Sequence, residues 1–478
     1  MGKFFKKYKH ELILGIFIYL YIVYFAIAAF LRYDNFYTGR FDLGNMDQVV
    51  WNTINGRIFQ ASNDSGIIIS RLSVHADFML ILLSPFYLLW SSPKTLLLIQ
   101  TIALGLGAIF VFLIAREILR NKNLALIFGF LFLMNPSVQY TNLYDFHAVT
   151  LATTLLLAAF YFLLKKRYAL LTLFLILSGI TKEQVWVICS LFGFPLLFQK
   201  AKKIKFWGIG IICFSLVIFA YLITSAIPQA LGKQHFALAY YADLGSTPAG
   251  IIKTIFLSPQ KIIPLLFESS HLEYLKLLLI PVGFISVLSP LYLIFAVPDL
   301  LISLLSNNAQ LRQIYYQYSA TVTPFIFISA IFAVKNIFKW FPKIPKLYLG
   351  LYLLIFTLLS GYFLGPLPGS RNPNIDMFIH PYPNKIVVRK FLTTIPKEYS
   401  VAATNNLGSH LSRREKVSTI PLGIDRADVI LFLLNDKFAQ PSLTAQIKMV
   451  NSMKSDKNYF KVFEKDEFVV FKKPGVLL

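Results

Sequence analysis

Charge is scarce in this chain. Charged residues fill 14% of its 478 positions, against about a quarter in an ordinary soluble domain. Acids are scarcer still, with 23 Asp and Glu against 46 Lys and Arg. Cysteine is nearly absent. Cys189 and Cys213 both sit inside apolar runs, where they read as small core residues; no disulfide framework or thiolate metal site can be built from them. H-E-x-x-H, Walker, G-x-G-x-x-G and G-x-S-x-G signatures are missing too, so neither sequence-readable zinc-protease nor nucleotide-loop nor hydrolase chemistry is indicated. No repeat with a period of about 20 to 50 residues is present, and no low-complexity tract.

Apolar residues are abundant. They make up 56% of the chain, and the mean hydropathy is +0.62. Apolar runs of about 16 to 22 residues, separated by short basic gaps, specify a polytopic α-helical membrane protein. The net charge of +23 does not point to nucleic acid, because the bases fill gaps between apolar runs rather than one face of a domain. The start, MGKFFKKYKHE followed by a long apolar run, reads as an uncleaved first helix.

Between Leu31 and Phe78 the pattern breaks into a polar stretch, 32 to 77, holding Asp34, Asp42, Asp47, Asp64 and Asp77 with Arg40, Arg57, Arg71 and His75. Lys3, Lys6, Lys7 and Lys9 precede the first apolar run (11 to 31), so the N-terminus is expected in the cytoplasm and the polar stretch outside. Within it, DLGNMDQVVWNTING reads as an amphipathic helix lying on the membrane surface. Leu43, Met46, Val50 and Ile54 share one face, and Asn45, Gln48 and Asn52 the other. Residues 78 to 90 are too short for a crossing and contain Pro85, which suggests a re-entrant piece.

Further helices are expected over 95–116, 124–139, 148–164, 168–180, 185–199 and 206–226, then two over 274–305 split at Ser289-Pro290, then 319–334 and 347–364. With the first, these make about 11 crossings that keep every basic cluster on the N-terminal side and the acid-bearing tips on the other. From about 366 the composition turns soluble. YSVAAT, KVSTI, ADVILFLL and FVVFKK alternate with helical stretches near 384–393 and 441–454, a small α/β domain. The expected division is thus a transmembrane domain, 1–365, and an extracytoplasmic α/β domain, 366–478.

Four features could carry chemistry: Asp42 with Asp47; Asp145 with His147; Lys182 with Glu183; and Arg312 with Tyr315, Tyr316 and Tyr318. Ionisable groups at helix ends beside an apolar slab are costly unless paired or functional. Brought to one pocket, an acid, a second acid with an imidazole, and a cation would suit attack on an anomeric carbon. Each has a plainer reading. Asp42 would serve as a helix N-cap, and Asp47 would pair with Arg40 or Arg57. Asp145 would pair with a nearby base, His147 would line an interface, and Lys182–Glu183 would be a local ion pair. Arg312 and the tyrosines would be interfacial anchors, and His75 a partner of Asp77 or Asp42. A carboxylate site could hold Mg2+ or Mn2+, though nothing requires a metal or other cofactor.

A first apolar helix, a polar loop with an acid on a helix, then a short re-entrant piece resembles the GT-C superfamily of polyprenyl-phosphate-dependent glycosyltransferases. FDLGNMDQVVWNTINGR, HADFMLILLSPFYLLW, YDFHA, SGITKEQ and R-x-x-x-Y-x-Q-Y are similar to a family of uncharacterised predicted membrane proteins of bacteria and archaea, distantly GT-C-like, over nearly the whole chain. The resemblance implies a catalytic acid at Asp42, with Asp47 the nearest second candidate. It implies a second-loop acid at Asp145, a cation facing the lipid phosphate at Lys182, and a looser phosphate contact at Arg312. Many GT-C enzymes carry adjacent acids in the first loop. Here the two are five residues apart, about 140° around a helix, so which of them is the base stays open.

The expectation is an inverting GT-C-like glycosyltransferase of the cytoplasmic membrane, passing a sugar from a polyprenyl-phosphate donor to a lipid, glycan or protein acceptor. Asp42, Asp47 and Asp145 are the candidate catalytic residues. His75, His147, Lys182, Glu183, Arg312 and Tyr318 would bind substrate. The alternatives are a transporter or flippase of an anionic lipid, which typically carries its charges near the bilayer midplane, and a non-catalytic assembly protein.

Overall fold

A computed structural model describes residues 2–234 and 236–478, with side chains from residue 7 onward; the side chains of Lys3 and Lys6 lie outside the described residues. The chain is mostly helical. The first helix, Gly2–Asp34, is longer than the apolar run alone and reaches about 50 Å at 1.5 Å per residue. It packs against Pro93–Leu119, which in turn packs against Lys122–Met134 and Ala152–Leu164.

Five helices among the described residues are long and apolar enough to cross a membrane: Lys7–Asp34, Pro93–Leu119, Lys202–Leu231, Thr323–Trp340 and Lys346–Leu364. Two bent pairs, Lys122–Met134 with Pro136–Leu143 and Pro248–Leu257 with Pro259–Leu266, raise the number to seven if each is one span. The bundle leaves large apolar side chains uncovered, among them Leu20, Ile27, Val217, Leu347 and Ile355. Apolar surface on this scale is a lipid-facing exterior.

The other expected crossings fall on apolar helices of 10–17 residues or on irregular backbone. The stretch 274–305 is not two helices. After Ser269–Leu279 it runs through three 3-10 segments, Ile280–Val282, Ile285–Leu288 and Pro290–Ala296, before Val297–Leu304. Pro281 and Pro290 lack the N–H that a continuing helix needs, and Gly283 and Phe284 both take positive φ. The segment 78–90 forms two short helices, Met79–Leu83 and Phe86–Leu89.

One end of the bundle gathers bases. Arg116 and Lys122 both reach Glu11, at 3.1 and 3.4 Å, and Lys165 reaches Glu117 at 3.1 Å. At the other end of the same helices Asp34 binds Lys94 at 2.7 Å and Arg389 of the C-terminal domain at 3.2 Å. The polar loop and the C-terminal domain therefore share one end of the bundle, away from that basic cluster.

The C-terminal domain is a five-stranded sheet in the order Val417–Thr419, Val401–Ala403, Val429–Leu433, Phe468–Lys472, Phe460–Lys465. The first three are parallel and the last two antiparallel. Successive residues alternate faces. Val429, Leu431 and Leu433 pack with Val388, Leu407 and Leu411, whereas Ile430 and Phe432 pack with Val450 and Met453. Helices thus cover both faces, which is why these strands read as continuous apolar runs.

Candidate functional site

The polar loop is built into the C-terminal domain rather than laid on a surface. After Asp34 the chain turns through Asn35, whose Nδ2 donates to Met377 O at 3.0 Å, and inserts Phe36 into the core of the C-terminal sheet. A π-helical turn, Arg40–Gly44, leads directly into the helix Asn45–Ile54. Helix Asn405–Leu411 lies against that turn. Gly44 approaches the backbone of Gly408 and Ser409, Phe41 N–H donates to Asn405 Oδ1 at 3.1 Å, and Thr38 meets Ser409 at 2.8 Å.

This corrects the expectation of a membrane-surface helix. Its polar face is covered by protein: Gln48 Nε2 donates to the carbonyls of Arg414 and Glu415, both at 3.0 Å, and Asn52 Nδ2 donates to Gln60 O at 2.9 Å. Arg40 is fully buried and serves the same junction. It bonds Asn45, Gln48 Oε1 (2.9 Å), Ser62 O (2.7 Å) and Val417 O (3.4 Å). The amphipathic pattern was real, but the polar stripe faces a second domain instead of water.

Asp42 is not a helix cap; Gly39 occupies that position, and the Asp42 side chain turns elsewhere. Asp42 Oδ1 lies 3.0 Å from His147 Nε2, and Oδ2 accepts from the Tyr144 hydroxyl at 2.9 Å. His147 Nδ1 lies 3.3 Å from the carbonyl of Asp145, so both ring nitrogens face oxygen. Burial alone would raise the Asp42 carboxyl. The charge and hydrogen bond of His147, the Tyr144 hydroxyl and the nearby Arg71 outweigh it, and the group ends below its ordinary value. Asp145 goes the other way. Burial first, and then the charge of Asp42, push it up to about 6, although Gly39 N–H donates to its Oδ2 at 2.7 Å. The two neighbouring carboxyls are thus shifted in opposite directions.

Asp47 faces away from this group. It is wholly buried, accepting from the Tyr87 hydroxyl and, at 2.5 Å, from Ser412 Oγ of the C-terminal domain. Burial pushes it up to about 6. Neither Arg40 nor Arg57 pairs with it; Arg57 bonds Asn52 Oδ1 at 2.9 Å.

A second group lies alongside. Arg71 grips Asp77 through Nε and Nη2 at 2.8–3.2 Å. His75 Nδ1 meets Glu183 Oε1 at 2.9 Å, and Ala76 N–H donates to Glu183 Oε2 at 3.0 Å. The partner of His75 is therefore Glu183, not Asp77 or Asp42, and Glu183 is not spent on a local pair with Lys182. Burial opposes the charge on Glu183, but His75, Lys182 and the Ala76 amide together hold its carboxyl well below the usual range. Lys182 is half-buried, and its ammonium makes no hydrogen bond or ion pair with any described residue. Arg71 joins the two groups, because its charge is felt by both Glu183 and Asp42.

Tyr318 is close enough to Asp42 to feel its charge. Arg312 is not brought to the carboxylates by any contact. Its Nη1 donates to the carbonyls of Ser306 (2.5 Å) and Ser303 (3.3 Å), fastening the loop to the end of Val297–Leu304. Arg71 and Tyr144 were missed as candidates, although a base six residues before Asp77 and a hydroxyl beside Asp145 were visible signals. Among the described residues no three His, Cys, Asp or Glu side chains converge in a way that would hold a metal ion such as Mg2+ or Mn2+.

The profile of a family described as predicted membrane protein (DUF2079) matches residues 32–470. The chain belongs to this family. The match begins at the polar loop and runs to the last strand of the sheet, so in the DUF2079 chain the loop and the domain clasping it fall within one family unit. No curated protein matches the chain at a significant level.

Proposed function

We propose that this DUF2079 protein is an inverting, GT-C-type integral membrane glycosyltransferase that takes a sugar from a polyprenyl-phosphate donor. The observation that carries the reading is Asp42, a carboxylate held ionised by His147 and Tyr144, with Arg71 and the uncommitted Lys182 on the neighbouring group. Asp42 takes the proton of an acceptor hydroxyl as that oxygen attacks the anomeric carbon. The bond from carbon to phosphate oxygen breaks, its electrons leave with the polyprenyl phosphate, and Lys182 and Arg71 meet the phosphate charge. Attack from the face opposite the leaving group inverts the centre. Asp145 keeps its proton longer and orients the acceptor with His147. Tyr318 lines the approach to Asp42, and His75 with Glu183 fixes the loop that carries Arg71.

The setting is the cytoplasmic membrane, with the N-terminus in the cytoplasm and the loop and C-terminal domain outside. The basic cluster at one bundle end and the acids at the other support this orientation. The full count of eleven crossings requires the shorter helices to span as well. Mobile prenyl chains would reach the site along the uncovered apolar face of Met79–Leu89, where Leu88 and Leu89 are exposed.

The test is turnover of labelled polyprenyl-phosphate sugars by the purified chain in proteoliposomes. Transfer that disappears in Asp42→Asn supports the proposal. Lipid movement across the bilayer with no glycoside product would instead favour a flippase.

A further inference from the structure

Beside Tyr144 opens a cleft of about 260 Å3, bordered by Arg32, Tyr140, Tyr144, Tyr315, Tyr316 and Asn374. It shares no residue with the Arg71–Glu183–Lys182 group. Drug-sized pockets run to roughly 300–1,000 Å3, so this one suits a single ring. Its walls are two orthogonal tyrosine pairs, Tyr140 with Tyr315 and Tyr144 with Tyr316, each with ring centroids 4.8 Å apart. Edge-to-face packing holds such rings in place. The Tyr144 hydroxyl is committed to Asp42, whereas the hydroxyls of Tyr140, Tyr315 and Tyr316 and the side chain of Asn374 bond no described residue.

The chemistry is that of a carbohydrate site: fixed aromatic surface for ring C–H groups, with uncommitted hydroxyls and an amide for ring hydroxyls. Charge narrows it further. Arg32 is the one ionised side chain on the wall, has no carboxylate within ion-pair distance among the described residues, and spends only Nη2, on Tyr37 O at 3.2 Å. Its Nε has no hydrogen-bond partner among the described residues. A cationic ligand is disfavoured beside it, and a planar guanidinium matches a carboxylate fork.

We infer that this tyrosine-walled cleft binds an acidic sugar residue, a uronic acid type, whose carboxylate is held by Arg32. Resting on the transferase reading, it is the acceptor subsite: Tyr144 spans the cleft and Asp42, so a hydroxyl of the bound sugar lies on the side of the base.

Binding is measured on the full-length protein in nanodiscs, by calorimetry, with methyl glucuronoside and methyl galacturonoside against the neutral methyl glucoside and methyl galactoside. Inorganic phosphate serves as an anion without a ring. At least one uronide is expected to bind tenfold or more tightly than its neutral parent. Arg32→Gln should erase that preference, and Tyr315→Ala, at a half-exposed ring, should weaken both. Equal binding of acidic and neutral sugars, no uronide binding, preference surviving Arg32→Gln, or full competition by phosphate would each overturn it. Uronide binding without any glycosyl transfer would leave the subsite standing and remove the transferase reading, and transfer without uronide binding would do the reverse.

Discussion

Asp42 Oδ1 and His147 Nε2 lie 3.0 Å apart although 105 residues separate them in the chain. The contact ties the first polar loop to the loop after Pro136–Leu143, and it favours the charged Asp42, whereas burial and the charge of Asp42 shift its neighbour Asp145 upward. Asp47, five residues along the same helical stretch, shares neither partner. The roles of the two acids in the first loop are therefore separable by substitution.

Asp42→Asn keeps the shape of the side chain and removes the base. Transfer is expected to fall by about 10²- to 10⁴-fold, the usual contribution of a general base. The midpoint of thermal unfolding should barely change. A variant with native turnover would remove Asp42 from the mechanism.

Asp47 makes a different prediction. Its folded value is about 6 against an ordinary 3.8. Below pH 4 it is protonated in both states. As pH rises from about 4 to 6, the folded protein still holds a proton that the unfolded chain has lost. Stability contributed by Asp47 therefore falls across that window, by roughly 3 kcal/mol at most for two pH units. Asp47→Asn should flatten this part of the profile and keep transfer activity, leaving a residual slope from Asp145. Asp47→Ala leaves the buried Tyr87 hydroxyl without its acceptor, while Ser412 Oγ keeps Ser409 O at 2.9 Å, and should cost about 1–3 kcal/mol. Thermal unfolding at pH 4, 5, 6 and 7 decides; parallel profiles for the native protein and Asp47→Asn would count against this assignment.

The Lys182 ammonium has no hydrogen bond or ion pair to lose among the described residues, and only its longer-range attraction to Glu183 would go, so Lys182→Ala should lower the unfolding midpoint only slightly. A lost charge-assisted contact of about 1.5–3 kcal/mol corresponds to an increase of about 10- to 100-fold in donor KM. Lys182→Arg should recover part of it. A fall in kcat with unchanged KM would place Lys182 elsewhere in the reaction.

Gly408 reports on the clasp between loop and domain. A Cβ there would stand 2.2 Å from Cβ of Arg40 and 3.0 Å from its Cα. Gly408→Ala should displace the Arg40–Gly44 turn, cost about 1–3 kcal/mol through overpacking, and lower transfer more than Asp47→Asn does. Limited proteolysis after residue 365 should quicken in parallel. Unchanged cleavage and activity would show that the turn does not depend on this contact.

What could be read from the sequence follows the range of the forces involved. The strands Val401–Ala403, Val429–Leu433 and Phe468–Lys472 are almost wholly apolar and, with the β-branched Val417–Thr419, stood out as strands. Edge strand Phe460–Lys465 is mostly exposed, carries two lysines, and gave no such pattern. The short polar helix Asn405–Leu411 was equally silent. The partner of Asp47 is 365 residues away at Ser412, and that of His75 is 108 away at Glu183. No local spacing encodes such pairs. In 274–305 the break at Ser289-Pro290 was legible from its proline, but the 3-10 segments around it were not, because their residues are as apolar as those of a true helix.

Arg40 closes onto Val417 across 377 residues, and this bears on biosynthesis. Chains emerge N-terminus first, so the first loop leaves the ribosome long before the strand that completes it. Until that strand arrives, a guanidinium destined for full burial has no Val417 carbonyl to meet, and the turn bearing Asp42 is unbraced. Premature termination after Leu364 would yield a protein inserted in its bilayer but chemically unfinished. A strand translated later braces the loop translated first.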